Sequence, residues 1–235
     1  MKNKLLYIHD FSPLSNKANI IQVISMANSF SNYFDEVCLA FPSYNDNKIE
    51  EYDRKILEII GCKPSFKIVL YKSNKFFISK AKLFEPYFSI SKFLKDNFKK
   101  YNYLMTRSFA TFHLALKFNY NVIYESHNNI LSDNKLLNYF VTKKLISNTF
   151  NNRFKLFISI SGALSEFWIS RGVDKSKIIA LHDGVSESRL NDKISLEESR
   201  KECNLDINKK YVVYTGSLDK NRGIDSIIKL SQEIK

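Results

Sequence analysis

The chain has 235 residues, 44% of them hydrophobic, which is enough to fill a sizeable core and excludes a disordered chain. Its formal charge of +12 and isoelectric point near 9.4 would suit an anionic partner such as a phosphorylated substrate, a membrane surface or nucleic acid. The excess is mostly Lys scattered beside abundant Asn and Ile, a compositional bias that produces charge without any partner.

Lys4 to His9 is a short apolar run that reads as a buried strand. Its apolar part, Leu5 to Ile8, is broken at once by His9 and Asp10, far short of a signal-peptide core. A polar loop, Ser12 to Asn19, leads into a helix whose apolar face is Ile20, Val23, Ile24, Ala27 and Phe30, spaced by threes and fours. Val37 to Phe41 follows as a second buried strand. Strand, helix, strand joined by short loops is the signature of a parallel sheet.

The alternation continues through Phe66 to Tyr71, Tyr103 to Thr106, Val122 to Glu125, Leu156 to Ser159 and Ile178 to Leu181, separated by helical stretches. The expected fold is therefore α/β, a Rossmann-like doubly wound parallel sheet. Lys72 to Lys100 is rich in Lys and Phe and reads as helical. The helix after Ser159 has Ser161 as its cap, Leu164, Phe167 and Trp168 on one face, and Gly172 as its left-handed terminator. Trp168 is accordingly assigned to the core.

Asp183-Gly184 marks a turn, and the polar, irregular stretch Val185 to Ile194 is the best domain boundary, dividing residues 1–186 from 187–235. Beyond it come a short helix at Leu196 to Cys203, a strand at Tyr211 to Tyr214, a loop, and a helix still running at Lys235. One strand and two helices cannot bury their own apolar faces, so the second domain is expected to be incomplete.

Ligands of open α/β sheets bind outside the carboxyl ends of the strands, so the residues that leave each strand are the candidates. The loop Phe11 to Asn19 feeds a helix N-terminus that could hold an anion, but it lacks the glycine-rich dinucleotide fingerprint. Thr106-Arg107-Ser108 offers Arg107, which could fork onto a carboxylate or phosphate, or form a structural salt bridge. Tyr124-Glu125-Ser126-His127-Asn128-Asn129 is a dense polar cluster whose donors and acceptors suit sugar hydroxyls, with His127 its favoured member. The last loop, Tyr214-Thr215-Gly216-Ser217-Leu218 with Lys220 and Arg222, combines glycine, a helix N-terminus and cations, a set that could neutralise a diphosphate.

Several devices are missing from the sequence. There is no Asp-x-Asp pair and no His/Cys cluster with metal spacing, so no metal is expected. No nucleophile elbow or Walker loop occurs. Cys38, Cys62 and Cys203 stand far apart, which indicates neither a disulfide framework nor a zinc site and fits a reducing cytoplasm. No run of about 18 apolar residues predicts a transmembrane helix, so any membrane contact would be peripheral.

Tyr103-Leu-Met-Thr-Arg-Ser108 with Val122-Ile-Tyr-Glu-Ser-His127 resembles a motif pair of the family 4 glycosyltransferases. Phe157 to Ser161, Lys177 to Val185, and Tyr211 to Leu218 followed by Arg222-Gly-Ile-Asp225 resemble the family's later blocks in order and spacing. The blocks span about half the chain, Tyr103 to Ile228; before them only the element pattern agrees.

The resemblance implies a GT-B architecture in which the first Rossmann-like domain binds an acceptor and a second binds a nucleotide sugar. It implies a retaining, metal-independent transferase with no cofactor beyond its UDP- or GDP-linked donor, acting in polysaccharide biosynthesis on a glycan or lipid-linked acceptor. His127 is then the catalytic residue, beside the transferred sugar. Arg107, Glu125, Asn128, Asp183 and Gly184 contact substrate, and Gly216, Ser217 and Arg222 hold the donor diphosphate. Many members carry an arginine where Ser217 stands and a lysine where Arg222 stands; Arg for Lys keeps the charge but changes its reach.

The family's acidic E-x7-E motif would lie beyond Lys235, so the resemblance reads the chain as truncated and its catalysis as weak. A cytoplasmic location is expected, with peripheral contact at the inner face of the membrane and Lys72 to Lys100 as the segment to carry it. Nucleic acid is not among the implied partners. Two other functions fit the composition and pattern: a basic α/β binding module without catalysis, and a sugar-nucleotide epimerase.

Overall fold

The structure is a computed structural model and describes residues 3–14, 18–43, 49–72, 85–184, 194–216, 218 and 223–233. The chain divides into two compact units, Met1–Ser186 and Glu187–Lys235.

In the first unit, strands β1 (Lys4–Ile8), β2 (Glu36–Ser43), β3 (Lys67–Lys72), β4 (Tyr103–Thr106), β5 (Asn121–Ser126), β6 (Phe154–Ser159) and β7 (Ile178–Ala180) form one sheet. All neighbours pair in parallel, in the order β3-β2-β1-β4-β5-β6-β7. The chain therefore winds outward from β1 to β3 and then returns to β4 on the other side of β1. The seven strands match the seven expected runs, with ends shifted by at most two residues.

Strand composition explains why both faces are covered. Along β1, Leu5 and Tyr7 point to one layer while Leu6 and Ile8 point to the other, and all four are buried. The first layer is closed by α1 (Ala18–Phe30) and α2 (Ile49–Ile60), which contribute Ile20, Val23, Ile24, Ala27, Tyr52 and Ile56. The second is closed by α3 (Glu85–Asn97), α4 (Phe109–Lys117), α5 (Lys135–Thr149) and α6 (Gly162–Ser170), supplying among others Leu94, Phe112, Leu145 and Trp168. Helices on both faces of a parallel sheet make the doubly wound, Rossmann-like fold. Between β5 and β6 the register skips Lys155, so Phe154 pairs with Val122 and Leu156 with Ile123. Lys155 stays exposed while each apolar neighbour keeps its face.

Local signals act where the sequence places them. Ser161 caps α6 by accepting from Leu164 N at 3.2 Å, and Gly172 takes φ +107° just after the helix. Trp168 is wholly buried, its ring 5.5 Å from Phe157 and 5.2 Å from Phe167. Of the segment Lys72 to Lys100, the described part is helical as α3, and residues 73–84 lie outside the described residues.

The second unit contains α7 (Leu196–Glu202) and α8 (Ile224–Glu233). A reciprocal capping box between Ser195 and Glu198 starts α7. The strand expected at Tyr211 to Tyr214 is not formed; these residues run as irregular chain, with Val212 and Val213 79% and 70% exposed. A strand exists only by pairing, and no other strand is found among the described residues of this unit. None of its described side chains is buried. Of the expected boundary stretch Val185 to Ile194, residues 185–193 lie outside the described residues, as does the chain end 234–235.

Truncating Trp168 to Ala should destabilise the first unit by about 3–5 kcal/mol, measured as the shift in urea midpoint at constant m-value. A loss well under that range would mean the α6 layer is not integral to the core.

Candidate functional site

The switch in winding direction lies between β1 and β4, where diverging connections leave a crevice at the carboxyl ends of the strands. A cavity of about 550 Å³ opens there, within the size range of small-molecule sites. His9 and Asp10 leave β1 into it, Arg107 and Ser108 leave β4, and Glu125 to Asn128 leave β5. Ile130, Leu131 and Val141 add an apolar side.

At its floor is the Glu125 carboxylate, 2% exposed. Alternation along the strands puts Tyr7, Arg107 and Glu125 on the same sheet face, the one closed by α1. Arg107 forks onto the carboxylate, Nη2 to Oε1 at 2.8 Å and Nε to Oε2 at 2.9 Å. Tyr7 donates its hydroxyl to Oε2 at 3.1 Å, and His127 Nε2 lies 2.8 Å from Oε1. Burial alone would push the Glu125 carboxyl up, but the bond to His127 and the Arg107 guanidinium outweigh it and hold the group below the usual carboxylate range. Burial works against the Arg107 charge too, and the facing Tyr7 and Glu125 more than offset it, so its pKa rises. The Tyr7 hydroxyl is raised by burial first and by the Glu125 charge second, so it remains a donor.

An ionised Glu125 accepts only, so the nitrogen of His127 facing it carries the proton, and a neutral ring then leaves Nδ1 as an acceptor. Two enclosed atoms of the cavity lining, Arg107 Nη1 and Asn19 Oδ1, have no hydrogen-bond partner among the described residues. Asp10 keeps some surface as a residue, but its Oδ1 is out of contact with solvent, and burial, partly relieved by a hydrogen bond with Ser108, raises its pKa to about 6. Behind the cavity, Trp168 Nε1 donates to Ser126 Oγ at 2.9 Å, and that hydroxyl donates to the Asn128 carbonyl at 3.0 Å. The core indole thereby holds the loop that carries His127 and Asn128.

The structure thus gathers Arg107, Glu125, His127 and Asn128 in one cavity, and bonds Arg107 and Glu125 to each other. Asp183 and Gly184 follow β7 and are exposed; the Asp183 side chain accepts a hydrogen bond from Gln22 of α1, and its charge is felt by Arg107. Gly216 lies in the second unit, at a bend where a Cβ would approach the Tyr214 hydroxyl to 2.8 Å. Ser217, Lys220 and Arg222 lie outside the described residues.

Sequence reasoning missed Tyr7, His9 and Asp10. His9 and Asp10 leave β1 just as Arg107 leaves β4, so the strand-exit rule applied one step earlier would have found them. Tyr7 was hidden inside an apolar run, where its hydroxyl looks like one more core aromatic.

No family model matches the sequence, and no curated protein does. Solved structures do share its fold. HepE from Anabaena, in complex with UDP and glucose, is 15% identical, with a TM-score of 0.52 over 86% of this chain and 50% of that one. A UDP-N-acetylglucosamine 2-epimerase is 13% identical, with a TM-score of 0.52 over 81% and 52%. LpCGTa in complex with UDP is 9% identical, with a TM-score of 0.51 over 80% and 55%. The chain spans about half the length of these structures, and at such identities the likeness is one of fold, the GT-B type.

Two substitutions separate the electrostatic roles. Glu125→Ala strands the Arg107 charge and should cost about 3–5 kcal/mol of stability in urea titration at pH 7; a variant as stable as the parent would refute the clamp. For Asp10, whose folded pKa of about 6 lies above its ordinary 3.8, the ionised form is disfavoured by folding, so stability falls as pH rises between those values. Asp10→Asn should therefore match the parent near pH 4 and exceed it at pH 8 by up to about 3 kcal/mol, and a difference independent of pH would contradict the assignment.

Proposed function

We propose that the chain is the acceptor-side domain, with the beginning of the nucleotide-sugar domain, of a GT-B glycosyltransferase that moves a sugar from a UDP- or GDP-linked donor to a glycan or lipid-linked acceptor. The observation that carries this reading is the cavity at the β1/β4 switch point, with the Arg107–Glu125–His127 cluster at its floor. Sugars offer hydroxyls that donate and accept at once, and this cavity answers with both kinds of group against an apolar side. The fold is shared with proteins solved with UDP, which supports a nucleotide-sugar partner.

In this reading His127 is the catalytic residue. With Nε2 engaged by Glu125, its Nδ1 accepts from a hydroxyl of the transferred sugar, and the ion pair beneath keeps the ring in one tautomer and one orientation. Arg107 Nη1 supplies a further donor to a ligand oxygen, and Asn128 binds sugar beside it. Asp183 and Gly184 complete the acceptor side, while Gly216, Ser217 and Arg222 hold the donor diphosphate, whose developing charge they stabilise as it leaves. Transfer proceeds with retention and without a metal ion, on the cytoplasmic side of a membrane.

The protein incubated with labelled UDP- and GDP-hexoses and a pool of lipid-linked and oligosaccharide acceptors should form, at a low rate, an acceptor-dependent product of retained configuration, unaffected by EDTA. His127→Ala should lower the rate about a hundredfold. Ligand occupancy can be followed independently by the fluorescence of Trp168, the chain's single tryptophan, because its indole is bonded to Ser126 at the cavity. Acceptor-independent isomerisation of the donor would replace this reading with an epimerase. A cavity that takes up neither sugar nor nucleotide sugar would leave a binding module of another kind.

A further inference from the structure

Helix α5 does not segregate its apolar residues to one face. Its inward side, Val141, Thr142 and Leu145, is buried, yet its outward side carries Leu136, Tyr139 and Phe140, exposed by 67%, 51% and 58%. Phe150, 68% exposed at the C-cap, continues the same row, since positions three, four and seven apart lie along one side of a helix. A surface helix of a water-soluble domain ordinarily turns charges outward. Here the outward charges are cations only: Lys135, Lys143 and Lys144, with Lys143 Nζ lying 4.5 Å from the Tyr139 ring centroid. Between Ser126 and Ser165 the one acidic residue is Asp133, against Lys135, Lys143, Lys144, Arg153 and Lys155.

We propose that the outward face of α5 is a membrane-docking surface that seats on anionic lipid, with Leu136, Tyr139 and Phe140 immersed at the headgroup boundary and Lys143 and Lys144 on the phosphates. Exposed apolar side chains bordered by lysines that can extend toward headgroups are the chemistry of an interfacial helix, which lies in the surface and sinks about 5–10 Å. Charge chooses the occupant. A second copy of this chain would bring another +12 against a cationic rim, whereas an anionic bilayer complements it. No described helix is long and apolar enough to cross a membrane, so this contact is peripheral. The site differs from the Lys72 to Lys100 stretch favoured by composition, whose residues 73–84 lie outside the described residues.

The helix also borders the cavity: Val141, on the inward side of α5, and the exposed Ile130 just before it both line it. Seating α5 on a bilayer brings the cavity mouth to the lipid–water boundary, where a lipid-linked acceptor presents its sugar. That consequence rests on the functional reading above, whereas the docking surface does not.

The test is co-sedimentation of the full chain with vesicles of equimolar phosphatidylcholine and phosphatidylglycerol, and with phosphatidylcholine alone. The parent should sediment with the mixed vesicles, and binding should weaken with added salt. Leu136→Glu/Phe140→Glu should reduce the partition coefficient about tenfold or more, and Lys143→Glu/Lys144→Glu about fivefold or more. Tyr33→Glu, at an exposed aromatic outside α5, should bind like the parent. Circular dichroism and urea midpoints establish that the variants fold, which their exposure favours.

No sedimentation of the parent, or α5 variants that sediment equally, would overturn the proposal. So would a parent dimer that Phe140→Glu dissociates while vesicles go unbound. Sugar-induced change in Trp168 fluorescence should persist in the α5 variants, so loss of docking and failure of the functional reading give separate signals.

Discussion

A carboxylate taken out of water is among the costliest groups a fold can hold, and Glu125 is held at the carboxyl end of a central strand. Its cost is met by donors from β1 and from the exits of β4 and β5: the hydroxyl of Tyr7, both prongs of Arg107 and the ring of His127. Each partner is in turn fixed by the requirement. Arg107 cannot swing into solvent without exposing a buried anion, Tyr7 must keep its proton, and His127 must turn a protonated nitrogen inward. The orientation of the cavity floor follows from these pairings together with the Trp168–Ser126 bond that holds the loop.

The fold was largely legible because a sheet covered on both faces writes itself as short unbroken apolar runs, and seven such runs became seven strands. Caps and terminators were equally readable, as Ser161 and Gly172 illustrate, because their chemistry is local. Tyr211 to Tyr214 was misread for the converse reason. Val and Tyr favour a strand, yet propensity cannot supply the partner that pairing demands, and the residues remain irregular.

The candidate site was legible by half. Strand exits rich in polar side chains pointed to Arg107 and to Glu125 through Asn128, and the fold gathers them. What one-dimensional reading could not supply was who pairs with whom. Arg107 and Glu125, each read as a contact for substrate, satisfy each other, and Tyr7 joins them from 118 positions away. The registers of β4 against β5 and of β1 against β4 decide this, and register is a property of the sheet. Trp168 carries the same lesson: its burial followed from helical spacing, while its bond to Ser126 depends on how α6 crosses the end of β5.

That dispersal has a bearing on how the protein folds. Tyr7 meets Glu125 only after β4 has docked beside β1, closing a loop that contains all of α1, β2, α2, β3 and α3. Contacts so distant along the chain form late and contribute to slow folding, because closure entropy is spent before they can repay it. A nascent chain that has not yet reached β5 has no carboxylate for Arg107 to grip, and one that has reached it but not paired β1 with β4 lacks the Tyr7 hydroxyl on that carboxylate. Completion of the cavity is thus tied to completion of the sheet, and occupancy by any ligand reports that the central pairing of the first unit has closed.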